Sequence, residues 1–319
     1  MKQITANKND ANLRLDKFMS RRFPSMPQSL LYKYIRKNCV KVNGKHAKEN
    51  FKLSAGDVLS FYISDEFFEP PKEENAFLHV KSNIDIIYED ENIILVNKKA
   101  GMVVHEDETK TPDTLIAHIQ RYLYEKGEYD PDSENTFAPA LANRIDRNTQ
   151  GIVIAAKNAQ SLRVLNQKIK DREIKKSYIC LAFGKFEKKS DRLTAYLERN
   201  EKTKTVKVLS KPTKNSKPIT TGYSVVDYKN GISLVKVDLI TGRTHQIRAH
   251  FASIGHPLVG DGKYGINREN KKAGYTYQAL CSYKTAFLFK TDGGVLNYLN
   301  GKTFAIDNID FVKKFKEGM

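Results

Sequence analysis

Asn143-Arg144-Ile145-Asp146-Arg147-Asn148-Thr149-Gln150-Gly151, followed at once by Ile152-Val153-Ile154-Ala155-Ala156-Lys157, is a polar loop that runs straight into an unbroken apolar stretch. The second half reads as a strand buried on both faces, because a half-exposed strand would alternate apolar and polar residues. The first half is harder to explain as packing. A lone aspartate ahead of a strand is usually a turn residue. Asp146, however, stands between Arg144 and Arg147, and nearby positive charge keeps a carboxyl ionised and lowers its pKa by roughly 1–3 units. The stretch therefore predicts a core strand preceded by a poised carboxylate.

Outward from this stretch, strand-like runs at 84–88, 93–96, 152–156 and 178–183 alternate with helix-like stretches around 113–125 and 158–172. Gly222–Tyr228 and Ile232–Leu239 flank Lys229-Asn230-Gly231, a turn signal that predicts a hairpin and hence a mixed, largely antiparallel sheet flanked by helices. The fold class is α+β. Residues 211–218, KPTKNSKP, read as a lysine-rich loop, and no internal repeat is visible.

The N-terminal segment has a different character. Leu13, Leu15, Phe18 and Met19 recur at helical spacing, and a second helix begins near Pro27 with Leu30, Leu31, Tyr34 and Ile35 along one face. Strands at Cys39–Val42 and Asp57–Ile63 follow, the first closed by Asn43-Gly44. Lys33, Arg36, Lys37, Lys41, Lys45 and Lys48 decorate this helix and hairpin. Residues 64–79 turn acidic, net −4, and carry Pro70-Pro71, which predicts a stiff, extended linker. The expected units are thus a small basic module over 1–63, a linker over 64–79 and a larger domain over 80–319.

Charge points to the class of partner. The 319 residues hold 54 Lys plus Arg against 37 Asp plus Glu, a formal +17. Residues 1–63 contribute 13 basic and 4 acidic side chains, so about a fifth of the chain carries more than half of the excess. A polyanion is the expected partner. No run approaches the roughly 20 apolar residues that span a bilayer, and MKQITANKND lacks the apolar core of a secretory signal, so the cytoplasm is the expected setting. Cys39, Cys180 and Cys281 are far apart and read as reduced packing residues. His245, His250 and His256 raise the question of a metal, but no recognised ligand spacing accompanies them.

A second polar segment, Thr241-Gly242-Arg243-Thr244-His245-Gln246-Ile247-Arg248-Ala249-His250, opens as a glycine turn and continues as a helix start. Burying its Arg, His, Gln and Arg is costly unless they are paired. Gly255-His256-Pro257-Leu258-Val259-Gly260-Asp261 and Tyr264-Gly265 follow, rich in turns but without phosphate-loop spacing.

These segments, with Lys98-Lys99-Ala100-Gly101, Val103-Val104-His105 and Lys176-Ser177-Tyr178, together resemble the RluA-type pseudouridine synthases over roughly residues 84–290, with motif order and spacing intact. The basic module resembles the S-four-type RNA-binding domain. The family usually has His-Arg-Leu-Asp where Asn143-Arg144-Ile145-Asp146 stand, and differs also at Lys99, Asn148 and Gln150. The resemblance implies the pseudouridine synthase fold and isomerisation of uridines in RNA, without cofactor or metal, by a monomer. It makes Asp146 the catalytic carboxylate, pairs it with Arg248, lays Tyr178 against the target base and makes Arg144 the wedge that fills the space of the flipped nucleotide. Arg147, Arg243 and His245, with Lys33, Arg36, Lys37, Lys41 and Lys45 of the module, are the expected RNA contacts. Large-subunit ribosomal RNA is the expected substrate, ahead of transfer RNA. Two other readings are a ribosome-assembly factor that binds RNA without turnover and a metal-dependent RNA-cleaving enzyme. Intact Asp146, Tyr178 and Arg248 argue against the first, and only the histidines speak for the second.

Overall fold

The computed structural model describes residues 1–68, 75–105, 111–266, 268, 270 and 274–318. Pro70 and Pro71 of the expected linker lie outside them.

The N-terminal unit builds a sheet in the order β1-β4-β2-β3 from β1 (Lys2–Thr5), β2 (Val40–Val42), β3 (Lys45–His46) and β4 (Val58–Phe61). Asn43 and Gly44, both with positive φ, close the β2–β3 turn, the backbone that Asn-Gly favours. Helices α1 (Leu15–Arg22) and α2 (Gln28–Arg36) bury Leu15, Phe18, Met19, Leu31 and Ile35 against Val40, Leu59 and Phe61. Strand β1 was not legible in the sequence. It is short and half polar, and it exists by pairing along β4, Lys2 opposite Phe61. Phe67 and Phe68 also pack on this core, Phe68 lying 5.0 Å from Phe23. The described start of 64–79 therefore coils into a 3-10 turn over Asp65–Phe68 and closes the module.

The larger unit is one sheet in the order β11-β10-β12-β13-β9-β14-β8-β6-β5. Its strands are β5 (Ile86–Glu89), β6 (Ile93–Lys98), β8 (Gln150–Ala156), β9 (Ile174–Phe183), β10 (Ser190–Asn200), β11 (Thr205–Leu209), β12 (Lys217–Lys229), β13 (Ile232–Leu239) and β14 (Leu280–Phe287). The short β7 (Ala140–Leu141) pairs with β8, and β15 (Thr303–Ala305) pairs with β14. Among these pairings only β14 with β8 is parallel, so the mixed, largely antiparallel α+β reading holds.

Side-chain alternation explains the apolar runs. Ile94, Val96, Val153 and Ala155 face α3 (Leu115–Glu125), while Ile93, Leu95, Ile152 and Ile154 face α4 (Ala159–Lys170). Strand β9 is sandwiched likewise. Tyr178, Cys180 and Ala182 pack with Ile247 and Phe251 of α5 (Gln246–Ser253), whereas Ile179 and Leu181 pack with Phe311 and Phe315 of α6 (Asp310–Glu317). Where β8 meets β14, Gly151 has φ +128 and comes so close that a Cβ would lie 2.4 Å from the Ser282 carbonyl oxygen. That approach explains the glycine just after the Asp146 loop.

The two units share a polar seam. Fully buried Asp10 accepts from Asn135 Nδ2 at 2.7 Å and Thr136 Oγ1 at 2.5 Å, and Glu134 accepts from Asn7 Nδ2 at 2.9 Å and Asn9 Nδ2 at 2.6 Å. Asn9 Oδ1 in turn accepts from the Ala159 N–H at the start of α4, at 2.9 Å. Neutral donors thus dock the module on the sheet domain. Replacing Asp10 by Ala takes the charged acceptor from half-buried Asn135 and Thr136, at about 1.5–3 kcal/mol for each bond. Hydrogen exchange should accelerate through residues 1–63 and around 130–136 while the central strands keep their protection.

Candidate active site

Asp146 sits in the loop between β7 and β8, and four anchors hold that loop. Asn143 Oδ1 accepts the Ile154 N–H at 2.8 Å, Ile145 is buried in the core under α3, and Thr149 Oγ1 accepts from Gln278 Nε2 at 3.1 Å. The fourth is Lys98, fully buried at the end of β6, whose Nζ donates to the carbonyls of Lys99, Met102 and Arg147 at 2.8–2.9 Å. Burial pushes the Lys98 ammonium down to about 7, against the pull of the Asp146 charge. The motif containing Lys98 stood out in the sequence, but this role did not, because its three acceptors are main-chain atoms that any residue supplies.

Across the cleft, α5 presents Arg248. Its Nη1 donates to Asp146 Oδ2 at 2.9 Å, joining motifs about a hundred residues apart in the chain. Its stronger partner is Asp261, which takes Nε at 2.7 Å and Nη2 at 2.8 Å in a two-pronged pair. Burial pushes the Asp261 carboxyl up, but the Arg248 bonds and the N–H groups of Lys263 and Tyr264 outweigh it and leave it below the ordinary aspartate range. In the sequence Asp261 is part of a turn-rich segment. Nothing local distinguishes it from a turn aspartate until Arg248 arrives.

The polar start of α5 is paired rather than exposed. Buried Gln246 accepts from Thr241 Oγ1 at 2.8 Å and donates to the Thr220 carbonyl and Thr221 Oγ1 at 3.0 and 2.9 Å. The residue that turns left-handed is His245, at φ 54, rather than Gly242. This uncommon backbone sets its ring Nδ1 2.9 Å from Tyr264 Oη and its Nε2 3.9 Å from Asp146. Burial, only partly countered by Asp146, depresses the His245 pKa. The other two histidines are structural. His250 bonds Thr221 Oγ1 and burial pushes it down to about 4, while His256 bonds the Phe183 carbonyl and stacks on Phe186 at 3.9 Å. Among the described residues no three His, Cys, Asp or Glu are grouped to hold a metal.

Asp146, His245, Gln246 and Arg248 line a cleft of about 930 Å³. Among the described residues, Asp146 is its one carboxylate beside eight Lys and Arg side chains. Tyr178 is 5% exposed in its wall, and burial, with the Asp146 charge adding, pushes its phenol up to about 12. Arg144, Arg147 and Arg243 are exposed on the same walls, and Arg147 Nε donates to the Gly101 carbonyl at 3.2 Å. Arg199, Lys204 and Lys263 also line the cleft. Arg199 on β10 and Lys204 in the turn to β11 belong to no motif, and nothing local marks Lys263, between Asp261 and Tyr264, as a cleft residue. Lys33, Arg36, Lys37 and Lys45 are exposed on the N-terminal module and Lys41 is half-buried there, with its Nζ 5.6 Å from the Tyr62 ring. None of these five lines the cleft.

Replacing Asp261 by Ala leaves Arg248 buried with half its compensation. The expected cost is about 3–5 kcal/mol in denaturant unfolding. A folded-state pKa below the unfolded value means stability present at neutral pH and lost as pH falls below about 4 toward that depressed value. Acid unfolding of Asp261→Asn should therefore lack part of the wild-type slope.

Two family models match the chain. That of the family described as RNA pseudouridylate synthase matches residues 92–253, and that of the S4 domain matches residues 13–59. "Uncharacterized RNA pseudouridine synthase MG370" of Mycoplasma genitalium is 34% identical over 287 residues, covering 88% of this chain and 87% of its own. "Ribosomal large subunit pseudouridine synthase C" of Vibrio vulnificus is 31% identical over 268 residues, covering 83% and 80%. Among solved structures, "Human RNA Pseudouridylate Synthase Domain Containing 4" superposes with a TM-score of 0.56 at 17% identity, over 71% of this chain and 89% of that one. The last likeness is one of fold, and together these findings agree with a sheet domain carrying a basic module. The chain belongs to the RNA pseudouridine synthase family.

Proposed function

We propose that this pseudouridine synthase acts on large-subunit ribosomal RNA and that Asp146 is its catalytic carboxylate. One observation carries the second part: among the described residues Asp146 is the single acid in a cleft otherwise rich in cations, held at 2.9 Å by a buried arginine. The reaction breaks a glycosidic nitrogen–carbon bond, turns the uracil and joins one of its carbons to the same sugar carbon. The ring carbon gives up a proton and the freed nitrogen gains one, so no electrons are gained or lost overall. Asp146 serves as nucleophile at the anomeric carbon or as base toward the neighbouring sugar position. In either role Arg248 holds the carboxylate in place with a fixed positive charge beside it. Tyr178 lies against the uracil on the buried wall.

A stacked uridine reaches Asp146 only by leaving its stack, which costs a few kcal/mol. Arg144, exposed two residues before Asp146, fills the vacated space, since guanidinium planes stack well on bases. Ribosomal RNA as substrate is supported by the names of several relatives, among them that of Vibrio vulnificus.

Asp146→Ala should abolish pseudouridine formation in a large-subunit ribosomal RNA transcript, read by carbodiimide-dependent primer-extension stops. Its RNA affinity should stay within a small factor, because one carboxylate adds nothing to attraction for a polyanion. Near-normal turnover by this folded variant would reject the assignment. Replacing Lys33, Arg36, Lys37, Lys41 and Lys45 together by Gln should lower RNA affinity and flatten its dependence on log salt, by about 0.7–0.9 for each phosphate no longer neutralised. Turnover at saturating RNA should be unchanged.

A further inference from the structure

Several tyrosines keep about two-fifths or more of their surface exposed, and a cation from the chain covers most of them. Lys41 sits over Tyr62, Arg121 over Tyr124, Lys185 over Tyr228 and Lys302 over Tyr298, all within 6.0 Å of the ring centroid. Tyr277, 41% exposed, carries no such cation among the described residues. Its ring is nonetheless firmly seated. A Cβ on Gly101 would lie 3.1 Å from the Tyr277 hydroxyl oxygen, 3.3 Å from Cζ and 3.4 Å from Cε2, so the ring rests on bare glycine backbone. Gly101 and Arg147 exchange two hydrogen bonds, at 3.0 and 3.2 Å, which ties that backbone to the loop of Asp146. On the other side, a Cβ on Gly260 would lie 2.1 Å from the Tyr277 carbonyl oxygen, and Gly260 precedes the Asp261 that holds Arg248. Tyr277 is thus wedged against both loops that build the site, while its own side chain stays outside the cleft wall.

A lone exposed aromatic is ordinary on a protein surface. A ring that no cation covers among the described residues, resting on the Gly101 backbone that is bonded to Arg147 in the loop of Asp146, is a surface on which a nucleobase can stack at little entropic cost. We propose that the ring of Tyr277 is the stacking platform for a base adjoining the target uridine, holding the strand at the rim while the uridine enters the cleft. This rests on the reading of RNA as substrate. The ring gives the strand a contact that the phosphate-binding cations cannot, because stacking is independent of charge.

The chain contains no tryptophan. Tyr277→Trp therefore introduces a single reporter, with Tyr228→Trp, covered by Lys185 and outside the cleft wall, as a control. Single-stranded oligouridylate should quench Tyr277→Trp fluorescence saturably and leave Tyr228→Trp unchanged. In turnover of the ribosomal RNA transcript, Tyr277→Ala should raise KM about tenfold with little change in kcat, and Tyr277→Phe should behave as wild type. The proposal is overturned if Tyr277→Trp fluorescence stays constant at RNA concentrations where filter binding shows a complex, or if Tyr277→Ala keeps the wild-type KM. Binding with quenching but no pseudouridine from the wild-type protein would reject the reading of the function and leave the platform standing.

Discussion

The guanidinium of Arg248 is the interaction on which the site depends. Burial by itself would lower its pKa, and a buried unpaired guanidinium is too costly to keep, so the fold must supply carboxylates. Asp261 supplies two oxygens and is fully buried for that purpose. The remaining prong reaches Asp146, whose side chain keeps 24% of its surface open to the cleft. The arrangement assigns two aspartates different tasks. One anchors the arginine inside the protein, and the other receives a fixed, oriented positive charge while remaining accessible.

The sheet explains why those groups meet. Strands β9, β14 and β8 are adjacent, and the cleft collects Tyr178 from β9, Leu280 from β14 and the loop that enters β8. The parallel step from β14 to β8 is short, Cys281 opposite Gln150 and Ser282 opposite Gly151. Gly151 makes this close approach possible, so the same glycine that joins two parts of the sheet also ends the loop of Asp146. Helix α5 shares the face of β9 that carries Tyr178, which places Arg248 over the opening. Packing on the two faces of one sheet is therefore what converts distant motifs into one cleft.

Positive charge gathers on two parts of the surface. The cleft surrounds one carboxylate with cations drawn from several loops and strands, whereas the module carries exposed lysines and arginines on α2 and its hairpin. The polar seam through Asn7, Asn9 and Asp10 ties the two parts together with half-buried amide and hydroxyl donors. Such donors need alignment to offset the desolvation of the carboxylates, so the seam favours one orientation. The exposed cations of the module are thereby held in one position relative to the cleft.

The sequence by itself determined the elements with strong local patterns. The continuous run 152–156 had to be buried on both faces, Asn43-Gly44 and Asn230-Gly231 had to turn with positive φ, and the basic module was visible from charge alone. The loop of Asp146 and the start of α5 were also legible, because polar side chains in those positions had no packing explanation. What only the tertiary structure decided was pairing. Lys98 finds main-chain carbonyls, Asp261 finds a guanidinium, His245 rather than Gly242 takes the left-handed backbone, and Arg199 and Lys204 reach the cleft from a strand and a turn that carry no motif. The physical reason is that local pattern reports burial and backbone preference, which are properties of a segment. The energy of a buried charge or hydrogen bond belongs to two partners, and the second partner arrives only when the sheet is assembled.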